Sequence, residues 1–311
     1  MTDQTATDQA STDRTATDRT ANVPAANGVT GPYATLRVSV ADGVARVVID
    51  NPPLNLYDAG VLVDLDRFVD AVGGDDDVRV IVFDSADPDF FLAHGDMTTV
   101  DDPDAFARLP VATGGNGEMN PMMRLHERVR ALPQVTVGVL RGLARGGGAE
   151  LLSALDMRFA ALEHAGLSQV ECGMGIIPGA GGTAYLPRLV GRARALEIVL
   201  GWQLVDAATA ERVGWVNRAV PGAELDHVVD ALAARVAALP PGVARTAVAA
   251  VDAAADDLAH GLREANAGFG ALFAEPAAAE LTRAALAAGA HTREGERRLE
   301  AVVAGLRRDG V

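Results

Sequence analysis

Apolar segments with strand periodicity alternate with segments of helical periodicity through the first two thirds of the chain, and this alternation constrains the fold most strongly. The segments TLRVSV and ARVVID alternate apolar and polar residues around Ala41-Asp-Gly, which predicts a hairpin. Residues 60–72 have helical spacing, VRVIVFDS indicates a buried strand, and MNPMMRLHERVRALP predicts a helix. A further predicted strand, VTVGVL, runs straight into a glycine run. Such alternation indicates an α/β domain with mostly parallel pairing.

The two ends of the chain depart from this pattern. Residues 1–31 are a low-complexity segment, mostly an imperfect Thr-Ala-Thr-Asp repeat with almost no large apolar side chain, and this composition predicts a disordered tail. From about Leu225 onward the sequence is Ala-rich and helical, with no convincing strand. We therefore expect an α/β domain over residues 32–224. Over residues 225–311 we expect a helical region whose apolar faces serve oligomerisation.

Charge, lysine and cysteine content exclude several classes of function. The formal net charge of −15 argues against binding of nucleic acid or an anionic membrane. All 27 basic residues are Arg, so a Schiff-base lysine, a Walker lysine and a tyrosine–lysine dehydrogenase pair are ruled out. The single Cys172 fits a reducing compartment, and we find no signal peptide or membrane-spanning stretch, so we expect a cytoplasmic location. The scattered His residues show no metal-ligand spacing, so we expect no metal.

The segment RGLARGGGAELLSALD carries the first chemical signal. A predicted strand ends there, Gly146, Gly147 and Gly148 follow, and a helix begins. Without side chains, this turn lets a ligand approach free backbone N–H groups, which suits a phosphate or the oxyanion of an activated carbonyl. A tight turn that packs a strand against a helix explains the glycines equally well. The spacing also fits a nucleotide-binding dehydrogenase, but several elements precede it and the chain has no lysine.

Two glutamates adjoin glycine-rich turns in otherwise apolar sequence. Glu150 lies in the first turn of the helix after the glycines, and Glu171 precedes the turn in LSQVECGMGIIPGAGGT. Either one alone would usually be a solvated surface residue. Two carboxylates from separate segments can flank one substrate, one holding water while the other moves a proton. In the loop DPDFFLAHGDM, Gly95 can present a second backbone N–H; His94 beside it is more often a packed group than a catalyst.

Four segments, in this order, resemble the enoyl-CoA hydratase/isomerase (crotonase) superfamily. They are IDNPPLNLYDAG, DFFLAHGDM, RGLARGGGAELLSALDMRFAA and LSQVECGMGIIPGAGGTAYLPRLVGRARALEIVLGWQLVDAATAERVGWVNRAVP. The resemblance covers about residues 33–220. It implies an α/β fold that is a crotonase-like spiral of ββα units with a helical C-terminal region, assembled as a homotrimer or a dimer of trimers. It also implies an acyl-CoA thioester as substrate, with no cofactor beyond the coenzyme A of the substrate itself.

The resemblance assigns roles to single positions. Backbone N–H groups of Gly95 and Gly147 would form the oxyanion hole for the thioester carbonyl, and Glu150 and Glu171 match the two catalytic glutamates. The positions expected to bind substrate are Ala93, His94, Asp96, Gly146, Gly148, Pro178 and Gly179. Because both glutamates are present, the resemblance favours hydration of a 2-enoyl-CoA, in which an oxygen adds at C3 and a proton arrives at C2.

Departures from the family pattern leave the substrate and the reaction open. His94 stands where the family commonly has Gly, and no Lys or Arg follows Asp96 in MTTVDDPD to hold the nucleotide end of coenzyme A. The family's Gly-Gln-Pro-Glu is Ser168-Gln-Val-Glu171 here. The alternatives are double-bond isomerisation or another crotonase-type reaction, a family member that binds acyl-CoA without turnover, and the disfavoured nucleotide-binding oxidoreductase.

Overall fold

The computed structural model describes residues 28–102, 104–105, 108–109, 119–240, 242–253 and 258–306. The strands in these ranges are β1 (Leu36–Ala41), β2 (Val44–Ile49), β3 (Val80–Ser85), β4 (Phe90–Leu92), β5 (Val135–Leu140), β6 (Leu143–Arg145), β7 (Met157–Ala161), β8 (Gly166–Ser168), β9 (Val205–Asp206) and β10 (Arg218–Val220). The helices are α1 (Ala59–Gly73), α2 (Pro121–Arg130), α3 (Gly147–Ala154), α4 (Gly182–Val190), α5 (Arg192–Gly201), α6 (Ala207–Val213), α7 (Gly222–Ala237), α8 (Val243–Ala253), α9 (Leu258–Phe273), α10 (Pro276–Ala287), α11 (Arg293–Arg297) and α12 (Leu299–Leu306).

The first hairpin forms where the alternation predicts it. Strands β1 and β2 pair antiparallel, and Asp42 and Gly43 between them have φ angles of 51° and 76°. A two-residue turn with two positive φ angles matches the twist of the flanking strands, and Asp-Gly is a favoured sequence for it. The hairpin is therefore specified locally, by its turn and by its apolar alternation.

Successive strand pairs distribute themselves over two sheets. The larger sheet has the order β1-β2-β3-β5-β7-β10 and the smaller one the order β4-β6-β8-β9. Each of the pairs β3–β4, β5–β6 and β7–β8 places its first strand in the larger sheet and its second in the smaller. A helix follows each pair, so the α/β spiral of ββα units is confirmed. Strands β3 and β5 are apolar and mostly or wholly buried, as expected for central parallel strands.

The smaller sheet determines where the chemistry lies. Strands β4, β6 and β8 are parallel neighbours, so their carboxyl ends meet at one edge. The loop with Gly95 follows β4, the glycines and Glu150 follow β6, and Glu171 follows β8. Ligands bind outside the carboxyl ends of parallel strands in many α/β proteins. The expectation that VTVGVL runs straight into the glycines was wrong, because β6 lies between them.

The C-terminal region is helical in its described part and packs on the loops of the α/β body. Leu299 and Val303 of α12 form an apolar cluster with Met97 and Met174, which lie in the loops after β4 and β8. The predicted helical character is thus confirmed for the described residues. This region also completes the cavity described below, in addition to the oligomerisation expected of it.

The body begins earlier in the chain than the predicted boundary between residues 31 and 32. Val29 is buried in the main core, and the Tyr33 hydroxyl donates a hydrogen bond to its carbonyl oxygen at 3.1 Å. Residues 1–27 of the predicted tail lie outside the described residues. Val29 shows that an apolar residue close to a low-complexity segment can still belong to the core.

Candidate active site

A cavity of about 260 Å³ lies at the carboxyl edge of the smaller sheet. Its walls are mostly apolar side chains from the loops after β4 and β8, from α2 and from the C-terminal helix α9. The described lining residues that carry this apolar character are Met97, Pro121, Met122, Val170, Met174, Ile176, Phe269 and Phe273. Both predicted glutamates and both predicted oxyanion glycines also line it. The structure therefore brings the central candidates of the sequence into one cavity.

The loop after β4 is held by the backbone of the segment before α1. The Tyr57 N–H donates to the His94 carbonyl at 2.8 Å, and the Asp96 N–H donates to the Tyr57 carbonyl at 3.2 Å. In this parallel bridge, the N–H of the intervening Gly95 points away from Tyr57. Gly95 lines the cavity, so its N–H is placed to donate to a bound oxygen.

The second candidate donor lies at the start of α3. Gly147 is the first residue of this helix, and the first N–H groups of a helix have no partner within it. The preceding Gly146 has φ of 47°, and a Cβ there would lie 2.6 Å from Glu171 Oε1. Position 146 therefore requires glycine both for its backbone angle and for the space that Glu171 occupies. Together, the N–H groups of Gly95 and Gly147 are suited to an oxyanion.

Glu150 is buried and is held by one of its two oxygens. Its Oε1 accepts hydrogen bonds from the Ala180 N–H at 2.8 Å and the Gly182 N–H at 2.7 Å. Burial raises the pKa of Glu150 to about 7, against the lowering effect of these two N–H groups. The carboxyl group therefore changes charge near neutral pH, as a general acid or base must.

Glu171 lines the same cavity, but fewer hydrogen-bond donors stabilise its carboxylate. Burial, and then the nearby charge of Glu150, raise its pKa well above the usual range. Its Oε2 is buried and has no hydrogen-bond partner within the described part of the chain. A buried carboxyl oxygen without a partner favours the protonated form and leaves that atom available to a bound substrate. The two glutamates thus differ in hydrogen bonding: two N–H groups stabilise the carboxylate of Glu150, whereas Glu171 Oε2 has no such donor within the described residues.

His94 lines the cavity but bonds to protein groups through both ring nitrogens. Its Nδ1 lies 2.7 Å from the Gly95 carbonyl oxygen, and its Nε2 lies 2.7 Å from Glu296 Oε1 of α11. Its ring also stacks on that of His291, with the centroids 4.9 Å apart. Although burial acts in the opposite direction, the neighbouring His94 and the His291 N–H lower the pKa of Glu296. His94 therefore ties the oxyanion loop to the C-terminal region.

The remaining predicted substrate-binding positions fall into two groups. His94, Asp96, Gly146 and Gly179 line the cavity with the catalytic candidates. Ala93, Gly148 and Pro178 are buried and are not among the described residues that line it. Ala93 packs against Leu54 and Phe90, and a Cβ at Gly148 would lie 2.5 Å from the Leu92 carbonyl oxygen. These three positions shape the elements behind the cavity, because their neighbours in the chain and not they themselves face it.

Several residues at the site were not predicted from the sequence. Tyr57 and His126 are buried beside the cavity, and Phe269 and Phe273 of α9 line it. Each lies far in sequence from the glycine–glutamate blocks. The polar His126 on the buried face of α2, in RLHERV, was the one signal that could have pointed to this group.

Both the sequence and the fold match one known protein family. A family model described as enoyl-CoA hydratase/isomerase matches residues 39–286. The chain belongs to the enoyl-CoA hydratase/isomerase family. It is therefore an enzyme of the hydratase/isomerase type, with a crotonase-type reaction on acyl-CoA thioesters.

Individual relatives agree with this membership. The chain is 29% identical over 199 residues to the short-chain-enoyl-CoA hydratase of Clostridium acetobutylicum, covering 64% of this chain and 73% of that protein. It is 28% identical over 205 residues to the crotonyl-CoA hydratase of Syntrophomonas wolfei, covering 66% and 76%. A crystal structure from Streptomyces avermitilis, of a protein assigned as a candidate enoyl-CoA hydratase, superposes with a TM-score of 0.84 at 48% identity. That match covers 89% of this chain and 100% of the other.

No group of three or more His, Cys, Asp or Glu side chains among the described residues is arranged to hold a metal ion. None of the described helices is both long enough and apolar enough to span a bilayer.

Proposed function

We propose that this family member hydrates the double bond of a 2-enoyl-CoA, with Glu150 as base and Glu171 as acid. The observation that carries this proposal is the unequal hydrogen bonding of two buried glutamates on one cavity. Glu150 has two N–H donors that stabilise its carboxylate, whereas Glu171 Oε2 has no partner within the described residues. One site then offers a carboxylate and a carboxylic acid at the same pH.

The proposed reaction uses these groups in a fixed order. The thioester carbonyl oxygen accepts the N–H groups of Gly95 and Gly147, which stabilise the enolate that develops on addition. Glu150 takes a proton from water as the water oxygen bonds to C3. Glu171 gives its proton to C2 as the enolate collapses. The proton left on Glu150 then returns to Glu171 before the next turnover.

The cavity walls support an apolar acyl group for this substrate. Methionine and phenylalanine supply the largest apolar side chains of the described lining, and its titratable members are the acidic Asp96, Glu150 and Glu171, with His94 paired to Glu296. A second carboxylate on the acyl chain would find no basic partner among the described lining residues. We therefore propose an apolar acyl chain over a dicarboxylic one.

The first prediction tests the glutamate pair by isosteric replacement. Glu150→Gln and Glu171→Gln should each lower kcat for hydration by about 10²–10⁴-fold, because each removes one proton-transfer step. Substrate binding should persist, since the backbone donors are unchanged. Steady-state hydration of 2-enoyl-CoA thioesters of several chain lengths measures this directly. The double variant should be little worse than the poorer single one, because the two residues act as a unit.

A matched control and a pH profile complete this test. Glu127→Gln replaces another glutamate whose pKa burial raises, and Glu127 is not among the described residues lining the cavity, so kcat should stay within about twofold. Hydration needs Glu150 ionised and Glu171 protonated, so kcat/KM should rise as pH passes through about 7 and fall where Glu171 ionises. Full activity of both single variants on every thioester would refute the assignment.

Double-bond isomerisation is the second candidate, and the same variants separate it from hydration. Moving a proton along an acyl chain can proceed with one carboxylate, whereas hydration uses both. If Glu150→Gln loses hydration and retains conversion of 3-enoyl-CoA to 2-enoyl-CoA, Glu171 carries the proton in isomerisation and the enzyme is bifunctional. Loss of both activities in both variants supports hydration by the pair.

A further inference from the structure

Tyr57 and His126 form a buried pair beside the cavity that the hydration steps do not use. The Tyr57 hydroxyl oxygen lies 3.2 Å from His126 Nε2, and His126 Nδ1 lies 2.8 Å from the Ala180 carbonyl oxygen. Both side chains are fully buried. They come from the segment before α1 and from α2, so they join parts of the chain that are far apart in sequence.

The chemistry of the three groups fixes the direction of these hydrogen bonds. A carbonyl oxygen can only accept, so His126 Nδ1 carries the proton that Ala180 receives. Burial lowers the pKa of His126 to about 4, against the raising effect of the Ala180 carbonyl, so the ring is neutral at physiological pH. Its Nε2 is then an acceptor, and the Tyr57 hydroxyl donates to it. The pair has one hydrogen-bonding pattern and no charge.

At one end, this series of hydrogen bonds leads to Glu150, the proposed base. The Ala180 carbonyl that His126 holds belongs to the turn whose Ala180 and Gly182 N–H groups hold Glu150 Oε1. A rotation of the peptide after Ala180 would move the Gly182 side of this turn. His126 therefore restrains the turn that orients Glu150.

At the other end, Tyr57 contacts the segments of both proposed oxyanion donors, Gly95 and Gly147. The Tyr57 backbone makes the two hydrogen bonds that hold the loop around Gly95. The Tyr57 ring lies against Gly147, where a Cβ would be 3.2 Å from Tyr57 Cδ1. The same residue thus touches the loop of one donor and the helix start of the other.

We propose that Tyr57 and His126 are positioning residues that fix the proposed base relative to the oxyanion hole. The inference rests on the proposed function, since it assumes that Glu150 and the Gly95 and Gly147 N–H groups act on one thioester. Fixed separations matter because small displacements of catalytic groups cost large factors in rate. A buried, fully bonded polar pair suits this task, because its hydrogen bonds allow a single arrangement.

Tyr57→Phe, which removes one oxygen, is the direct test. It should lower kcat for 2-enoyl-CoA hydration by about 10–10²-fold and change KM by less than about threefold, because the cavity wall keeps its shape. His126→Leu should have the same effect, and combining the two should add little to the larger single effect. His126→Gln should recover part of kcat, because an amide again offers one donor and one acceptor.

Two comparison variants make the outcomes distinct. Tyr185→Phe removes a second buried tyrosine hydroxyl, bonded to Glu127 at 2.9 Å, and should leave kcat within about twofold. Melting temperatures of all variants verify that they fold. Unchanged kcat in Tyr57→Phe, or an equal fall in Tyr185→Phe, overturns the positioning role. If Glu150→Gln keeps full activity, the proposed function fails instead, whatever Tyr57→Phe does.

Discussion

At the scale of single residues, His94 is the position where this chain departs most clearly from the family pattern. Its two ring nitrogens both lie 2.7 Å from oxygen acceptors, the Gly95 carbonyl and the Glu296 carboxylate. A carbonyl oxygen can only accept, so Nδ1 donates to Gly95, while Nε2 pairs with the Glu296 carboxyl group, whose pKa this contact lowers. The side chain was expected to be packed and not catalytic, and its saturated bonding agrees with that interpretation.

Removing one member of this pair should be costly. Glu296→Gln removes the buried carboxylate that pairs with His94 and lies 4.0 Å from the buried Arg145 guanidinium, which should lower the free energy of unfolding by about 3–5 kcal/mol at pH 7. The double variant His94→Gln/Glu296→Gln should lose less than the sum of the two single variants. Urea unfolding of all four proteins gives these values. Asp50→Asn, which removes an exposed ion pair with Arg37, should change stability by about 1 kcal/mol or less.

The same pair predicts a pH dependence of stability with a definite sign. The pKa of Glu296 is lowered in the folded protein, so its ionised form contributes stability above the ordinary value of 4.5. That contribution is lost as pH falls through the lowered pKa. The stability gap between wild type and Glu296→Gln should therefore narrow below pH 4.5. A gap that is constant across the acid range would contradict a stabilising, ionised Glu296.

At the scale of elements, the close packing of α3 on β4 sets the geometry of the proposed oxyanion hole. A Cβ at Gly148 would lie 2.5 Å from the carbonyl oxygen and 2.7 Å from the Cβ of Leu92. Because Leu92 ends β4 and Gly148 follows Gly147, this contact fixes both donor segments together. Gly148 is thus a packing position, although it was expected to bind substrate.

Gly148→Ala should separate these two elements. The added methyl group has to displace backbone, so we expect a loss of about 1–3 kcal/mol in the free energy of unfolding, together with a fall in kcat. Gly270→Ala is the matched control, since nothing lies within 4 Å of its Cβ position in α9. It should stabilise the protein by up to about 1 kcal/mol. Equal stability changes of the same sign in both variants would argue against the packing role.

The elements also show which parts of the structure can be predicted from sequence. The hairpin, β3, β5, α1 and α2 were predictable because each has a complete periodic pattern of its own. Strands β6 and β8 have three residues each, too few for any periodicity, so they were missed. Glu150 and Glu171 were found through local glycine-rich turns. Tyr57 and His126 were missed because three-dimensional folding alone brings them beside those turns.

At the scale of the whole molecule, the exposed apolar surface bears on assembly. The C-terminal helices were expected to provide the contact between subunits, yet their described part also covers the cavity of its own chain. A more continuous apolar surface lies on α5, where Leu196 and Leu200 are 40% and 64% exposed. Residues four apart share one face of a helix, so these side chains form a single apolar strip. We expect this strip to contact a neighbouring subunit.

The last prediction follows from that strip. Light scattering of the wild-type protein should give three or six times the chain mass of 32.1 kDa. Burying each leucine contributes about 1.5–3 kcal/mol, and a buried charge in its place is strongly unfavourable, so Leu200→Glu should shift the protein towards monomer. Val251→Glu changes an apolar residue of the C-terminal region, on α8, that is even more exposed at 73%, and should leave the mass unchanged. If Val251→Glu dissociates the protein and Leu200→Glu does not, the subunit contact lies on the C-terminal helices. A monomeric wild type at micromolar concentration would contradict assembly altogether.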